Sequence, residues 1–205
     1  MLNNRGFDLW ADDYDKCVGV SDEDGTYPFA GYKAILNEIY HRVLNSSAKT
    51  VLDIGVGTGT LTSKLYEYGC MIYGQDFSER MIELAQEKMP NAELFQGDFL
   101  KGLAEPLTQK KYDAIISTYA LHHLTDAQKI SFINSLLSLL NDGGCIYIGD
   151  VAFGTRASLE KCMDDTGNEW DDDEIYFVFD ELKKFFPKMK FEQMSCCAGL
   201  LSLHA

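Results

Sequence analysis

The chain has 205 residues, of which 46% are hydrophobic and 12% aromatic. That is enough apolar material for one domain with a substantial core, and too much for a disordered chain. It carries 18 basic and 32 acidic residues, a formal net charge of −14. Nucleic-acid binders need a basic patch and anionic membranes attract one, so the charge argues against both and is easier to reconcile with a small molecule or a basic or neutral partner.

No apolar run reaches membrane-spanning length, and Met1-Leu2-Asn3-Asn4-Arg5 lacks the pattern of a signal peptide. A cytoplasmic location is expected. The six cysteines (Cys17, Cys70, Cys145, Cys162, Cys196 and Cys197) show no CxxC spacing. They read as reduced thiols, with Cys145 and Cys196 in apolar, strand-like segments.

From about Phe7 to Asn45 the chain reads as a helical lead-in, with Ile35, Leu36, Ile39, Tyr40 and Val43 at helical spacing. An alternation of strands and helices follows. Thr50 to Ile54 is a short apolar strand, Gly55 to Gly59 a turn, and Thr60 to Tyr68 a helix stopped by Gly69. Met71 to Gly74 is a second strand ending near Asp76. Ser78 caps the next helix, whose inner stripe is Met81, Ile82, Ala85 and Met89, and Pro90 ends it. Ala92 to Phe95 and Asp113 to Ser117 are the third and fourth strands.

Thr125-Asp126-Ala127-Gln128 matches a capping box and starts a helix carrying Ile130, Ile133, Leu137 and Leu140. Asn141-Asp142-Gly143-Gly144 reads as a turn into a fifth strand, Cys145 to Val151. Beyond residue 152 the rhythm weakens. The acidic stretch Asp164 to Glu174, holding Trp170, reads as a solvated loop. Leu182 to Phe186 reads as a helix ended by Pro187, and Lys190 to Ser195 with Gly199 to Leu203 as a closing hairpin. Strands separated by helices imply right-handed crossovers and a mostly parallel sheet.

Ligands of such sheets bind beyond the carboxyl ends of the strands, where the topology switches. The turn after the first strand, Asp53-Ile54-Gly55-Val56-Gly57-Thr58-Gly59, has three alternate glycines that let the backbone bend and approach a ligand. The helix after it points free amides at the same place. Asp76, about twenty residues on, can accept hydrogen bonds from two ribose hydroxyls. Asp98 follows the third strand, and Phe77 and Phe99 could wall a base. Each has a plainer alternative: Asp76 can cap a helix, Asp98 can close a turn, and the glycines can serve packing. Dinucleotide dehydrogenases favour GxGxxG, and the position of its third glycine is Thr60 here. An NAD-dependent oxidoreductase is therefore disfavoured.

The spacing G-x-G-x-G, the segments Val51 to Gly59, Gly97-Asp98-Phe99-Leu100 and Tyr112 to Leu124, and the lead-in Trp10-Ala11-Asp12-Asp13-Tyr14-Asp15 resemble a class I S-adenosylmethionine-dependent methyltransferase. The chain is similar to the YrrT-like bacterial members, from about residue 7 to residue 152. The resemblance implies an α/β, Rossmann-like, doubly wound seven-stranded sheet, mostly parallel, in the order 3-2-1-4-5-7-6 with the last strand antiparallel. It implies one domain: 1–45 a helical lead-in and lid, 46–152 the cofactor-binding core, 153–205 a substrate-side insertion and closing strands.

By position, Gly55, Gly57 and Gly59 would run along the methionine moiety of S-adenosylmethionine, with Asp53, the acidic residue of the motif, also at the cofactor. Asp76 would hold the ribose, Asp98 the adenine end between Phe77 and Phe99, and the loop from Ser117 to His122, Thr118 included, would border the sulfonium. S-adenosylhomocysteine would be the product.

A sulfonium methyl is already activated, so alignment in a dry pocket is the main task and a base is needed only for a protonated acceptor. His122 and His123 follow the fourth strand and could take a proton, though packing against the cofactor or capping a helix would also account for them. Asp150 ends the fifth strand and could face the site. In relatives the lead-in folds over the active site, which makes Tyr14 the candidate there. No metal constellation is visible, because His41 and His204 lie far apart in sequence. A non-catalytic S-adenosylmethionine binder remains the alternative to a methyltransferase with a small-molecule acceptor.

Overall fold

One mixed sheet organises the computed structural model, which describes Asp22 and residues 25–205. Helix α1 (Tyr32–Asn45) leads into β1 (Thr50–Ile54), α2 (Thr62–Glu67), β2 (Met71–Asp76), α3 (Glu79–Lys88) and β3 (Glu93–Gln96). After a 3-10 turn come α4 (Glu105–Thr108), β4 (Tyr112–Thr118), a second 3-10 turn at Leu121–His123, α5 (Asp126–Leu137) and β5 (Leu140–Phe153). The chain closes with α6 (Arg156–Thr166), a 3-10 turn at Gly167–Glu169, β6 (Phe177–Val178), α7 (Phe179–Leu182), β7 (Lys190–Gln193) and β8 (Ala198–His204).

The sheet order is β3-β2-β1-β4-β5-β8-β7, with the two-residue β6 pairing β5 on the side. Strands β1 to β5 are parallel, and β8 is antiparallel to both neighbours. This is the topology that the family resemblance implied, renumbered by the small β6.

The elements form for local reasons. Ser78 accepts from the Met81 amide at 3.1 Å at the start of α3, and the Thr125–Gln128 capping box is formed at the start of α5. Helix α2 ends in a Schellman arrangement: Gly69, at φ 100°, donates to Tyr66 while Cys70 donates to Leu65. Two core layers sandwich the sheet. One joins Ile35, Ile39 and Val43 of α1 to Leu65 and Ala85. The other joins Phe132, Ile133 and Leu136 of α5 to Leu107 and Phe186. Each buried branched side chain contributes about 1.5–3 kcal/mol. The approach of α1 to β5 needs a bare backbone, since a Cβ on Gly149 would lie 2.2 Å from Ile35.

Some sequence readings are corrected. Leu140 begins β5 and does not belong to α5, and the buried stripe of α5 is Lys129, Phe132, Ile133 and Leu136. Asn141 to Gly144 does not separate helix from strand. It is an irregularity inside β5, where pairing with β4 jumps from Tyr112↔Leu140 to Ala114↔Cys145. The acidic stretch is no solvated loop throughout. Its first part continues α6, and Trp170 stacks on Tyr27 with ring centroids 5.2 Å apart. No helix among the described residues is long and apolar enough to cross a membrane.

Candidate active site

The order β3-β2-β1-β4-β5 reverses direction between β1 and β4, so the crevice beyond their carboxyl ends is the switch point. Parallel register sets Ile54, Gln75 and Ser117 side by side. That alignment brings the glycine turn, Asp76 and Thr118 to one rim.

All three turn glycines have positive φ, at 74°, 55° and 75° for Gly55, Gly57 and Gly59, which favours glycine at each. They differ in what surrounds them. A Cβ on Gly55 would lie 2.5 Å from the Cβ of Ala120, and one on Gly59 would lie 2.9 Å from Met89, so these two serve close packing. A Cβ on Gly57 would meet nothing within 4 Å. Gly57 borders a cleft shared with Asp53, Thr58, Thr60, Thr118 and Tyr32.

Asp76 lies across the turn. One oxygen accepts from the Gly57 amide at 2.8 Å and the other from the Ser78 amide at 2.9 Å. The turn and the carboxylate that the sequence singled out are thus joined directly. Asp53 is buried on β1, with one carboxylate oxygen lacking any hydrogen-bond partner. Burial, with help from the Asp76 charge, raises its pKa to about 7 against the pull of Thr62. A buried carboxylate with an open oxygen at the edge of a cleft is suited to an ammonium group.

Asp98 stands at the rim after β3. It accepts from the Leu100 amide at 3.0 Å and pairs with Lys101 at 3.3 Å. Phe77 is half-buried nearby in the chain. Phe99 turns inward, into the core layer, with its ring 6.0 Å from that of Phe132. Ser117 is also structural, donating to the Ile54 carbonyl at 2.9 Å. Phe29, Tyr32 and Tyr119 form a ring cluster beside the cleft, with Tyr119 centroids 5.3 Å from Phe29 and 5.2 Å from Tyr32. Tyr14, Trp10 and the rest of the early lead-in lie outside the described residues.

Beyond the end of β4, against Asp150 inside β5, sits a polar cluster. His122 is buried, its Nδ1 2.7 Å from Asp150 and its Nε2 3.4 Å from Glu174. Burial pulls the imidazole pKa down, but the charge and hydrogen bond of Asp150 and the charge of Glu174 outweigh it, and the pKa is raised. Burial and the neighbouring His122 push His123 down to about 4. Glu174 is itself raised, chiefly by burial. The backbone secures the cluster, since the Ile175 amide donates to the His122 carbonyl at 2.9 Å and buried Lys129 donates to the Ile175 carbonyl. The sequence reading missed Glu174. Its only signal was a place in an acidic run, and nothing local ties that run to the end of β4.

A doubly wound sheet with an open glycine turn and strand-end carboxylates at its switch point defines a nucleoside-cofactor enzyme of the Rossmann-like class. Comparison with known proteins narrows the class. A family model described as a methyltransferase domain matches residues 51–144. An uncharacterized methyltransferase of Anoxybacillus flavithermus is 43% identical over 157 residues, covering 77% of this chain and 71% of that protein. Another, of Geobacillus sp., is 39% identical over 198 residues, covering 90% and 87%. Among solved structures, the DhpI complex with SAH superposes with a TM-score of 0.71 at 18% identity, covering 98% of this chain and 93% of that one. Magnesium protoporphyrin IX methyltransferase from Synechocystis, with bound SAH, gives 0.65 at 18% identity over 86% and 84%. The chain belongs to this methyltransferase family and is an S-adenosylmethionine-dependent methyltransferase.

Proposed function

We propose that the chain methylates a small-molecule acceptor as a single domain of the YrrT-like group, with residues 153–205 as a substrate-side insertion and closing strands and residues 1–45 as a helical lead-in and lid. The observation that carries the cofactor assignment is the pairing of an open backbone at Gly57 with the unpartnered buried oxygen of Asp53. Asp53 takes the ammonium of the methionine moiety, and the turn from Gly55 to Gly59 lies along it. Asp76, held across the turn by the Gly57 and Ser78 amides, takes the ribose hydroxyls. Asp98 and Phe77 face the base. Phe99 supports that rim from within the core. Thr118 borders the reacting end of the cleft.

When bound, S-adenosylmethionine supplies a methyl group already activated by the sulfonium. The chain's own work is to align the acceptor and exclude water. Phe29, Tyr32 and Tyr119 supply apolar walls beside the cleft. His122 stands on the acceptor side, held by Asp150 through Nδ1 so that Nε2 points elsewhere. Tyr14 is assigned to the lid.

A net charge of −14 supports a small acceptor over a nucleic acid. Structural neighbours include a magnesium protoporphyrin IX methyltransferase and a plantazolicin methyltransferase. The test uses methyl-labelled S-adenosylmethionine, the purified chain and a cell extract separated by size after reaction. Label in the low-mass fraction is expected. Label in protein or nucleic acid would overturn the small-molecule reading, and no transfer at all despite cofactor binding would favour a sensor.

A further inference from the structure

His122, His123 and Glu174 come from distant parts of the sequence, yet each offers a ligand-capable atom within 4.8 Å of the others. Three features separate this group from a chance cluster. The first is the orientation of His122. Its Nδ1 is 2.7 Å from the buried Asp150 carboxylate, which leaves Nε2 facing Glu174 at 3.4 Å. Metal-binding imidazoles are held in this way, with one nitrogen on a carboxylate and the other on the ion. Two donors about 2.1 Å from one tetrahedral ion lie about 3.4 Å apart.

The second feature is the support of Glu174. Its Oε2 accepts from the Tyr176 hydroxyl at 2.8 Å, and Tyr176 in turn contacts the Tyr27 hydroxyl. This leaves Oε1 as the oxygen that faces His122.

The third is charge. Asp150 is fully buried, and its Oδ2 has no hydrogen-bond partner. The Glu174 side chain is only 21% exposed. Lys129 is the buried ammonium nearby among the described residues, and it is engaged by the Ile175 carbonyl and by Asp126. Two carboxylates in a low-dielectric site favour positive charge beside them.

We propose that His122, His123 and Glu174 bind a divalent transition-metal ion, with Asp150 and Tyr176 orienting the ligands from behind. Two imidazoles and a carboxylate suit zinc, iron or nickel better than magnesium or calcium. Three protein donors leave at least one position open. That position lies on the acceptor side, a placement that rests on the function proposed above, and it selects for acceptors with an oxygen or sulfur able to coordinate. His122 then acts as a ligand, and the histidine pair has a use that sequence spacing alone did not reveal.

The test is metal binding by the full chain, stripped with a chelator and titrated by calorimetry with zinc and by absorption with cobalt. One equivalent of zinc is expected to bind with a Kd in the micromolar range or tighter. Cobalt should give visible bands of nitrogen and oxygen ligation. Glu174→Gln and His123→Asn, checked for folding by circular dichroism, should each weaken zinc binding at least tenfold. S-adenosylhomocysteine affinity, measured on the same samples, should change little.

Zinc binding weaker than millimolar in the wild type would overturn the proposal. So would undiminished binding by both folded variants, or a cobalt–thiolate band placing the ion on cysteines. If either variant fails to fold, the wild-type cobalt spectrum and the other variant decide. Loss of S-adenosylhomocysteine binding with zinc binding intact would count against the cofactor site alone.

Discussion

Alanine at Gly57 and alanine at Gly55 should separate the two roles of the glycine turn. At Gly57, φ is 55° and an added Cβ meets nothing within 4 Å, so the folded chain bears only the left-handed strain, roughly 1–2 kcal/mol. For a domain of this size, that lowers Tm by about 2–8 °C. On the cofactor placement proposed above, the same Cβ would crowd the methionine chain in the cleft that Gly57 lines. It should weaken S-adenosylhomocysteine binding at least tenfold, or about 1.4 kcal/mol.

At Gly55 the added Cβ would come within 2.5 Å of Ala120, against about 3.5–4.0 Å for ordinary carbon contact. Strain and overpacking together then cost roughly 2–5 kcal/mol. Thermal melts and calorimetric titration with S-adenosylhomocysteine read both effects. Wild-type affinity in Gly57→Ala would refute the reasoning. So would a fall in Tm matching that of Gly55→Ala with no loss of binding, for then the open turn would be a feature of the fold alone.

Asp76→Asn keeps a side chain able to accept from one of the two amides but removes the charge. S-adenosylhomocysteine affinity should fall by about 1.5–3 kcal/mol, the scale of a charge-assisted hydrogen bond; unchanged affinity in a folded variant would remove Asp76 from the site. Asp53, with a pKa near 7 in the free protein, must be ionised to meet an ammonium. Cofactor affinity should therefore drop by up to about tenfold per pH unit below 7, and Asp53→Asn should abolish that slope. The stability linkage has the opposite sign. Because the folded-state pKa is raised, the free protein holds an extra proton and loses stability as pH rises from the ordinary carboxylate range through about 7, a trend that melts of wild type against Asp53→Asn should show. Asp113 accepts from the Lys49 and Thr50 amides, the Thr50 hydroxyl and Asn141 at 2.7–3.0 Å, and Asp113→Ala should cost roughly 1–2 kcal/mol after solvent screening, read as a lower Tm with unaltered cofactor affinity.

The parts of this molecule that were legible in its sequence are those set by local rules. Periodicity and caps located α1, α3 and α5, because a buried stripe and a capping residue are both short-range features. The glycine turn and Asp76 were legible because their spacing along one βαβ unit fixes their meeting in space. The irregularity at Asn141 to Gly144 was not, since its residues carry ordinary turn chemistry and only pairing with β4 makes them part of a strand. Phe99 was placed at the cofactor because a side chain beside a rim can turn either way, and here contact with Phe132 turns it inward. Glu174 escaped for a different reason. Its link to His122 depends on β6 lying beside β5 and on the Lys129–Ile175 contact, both long-range. Buried Gln75 likewise gave no signal. Its amide bridges the Gly102 carbonyl and the Ala104 amide at 3.1 and 2.7 Å, tying the loop after β3 to β2.

The most direct test is a crystal structure of the chain grown with S-adenosylhomocysteine. The amino group is expected within hydrogen-bonding reach of Asp53, the methionine chain against Gly57, and both ribose hydroxyls on Asp76. A nucleoside bound anywhere else, or a cleft left empty at saturating ligand, would contradict the account.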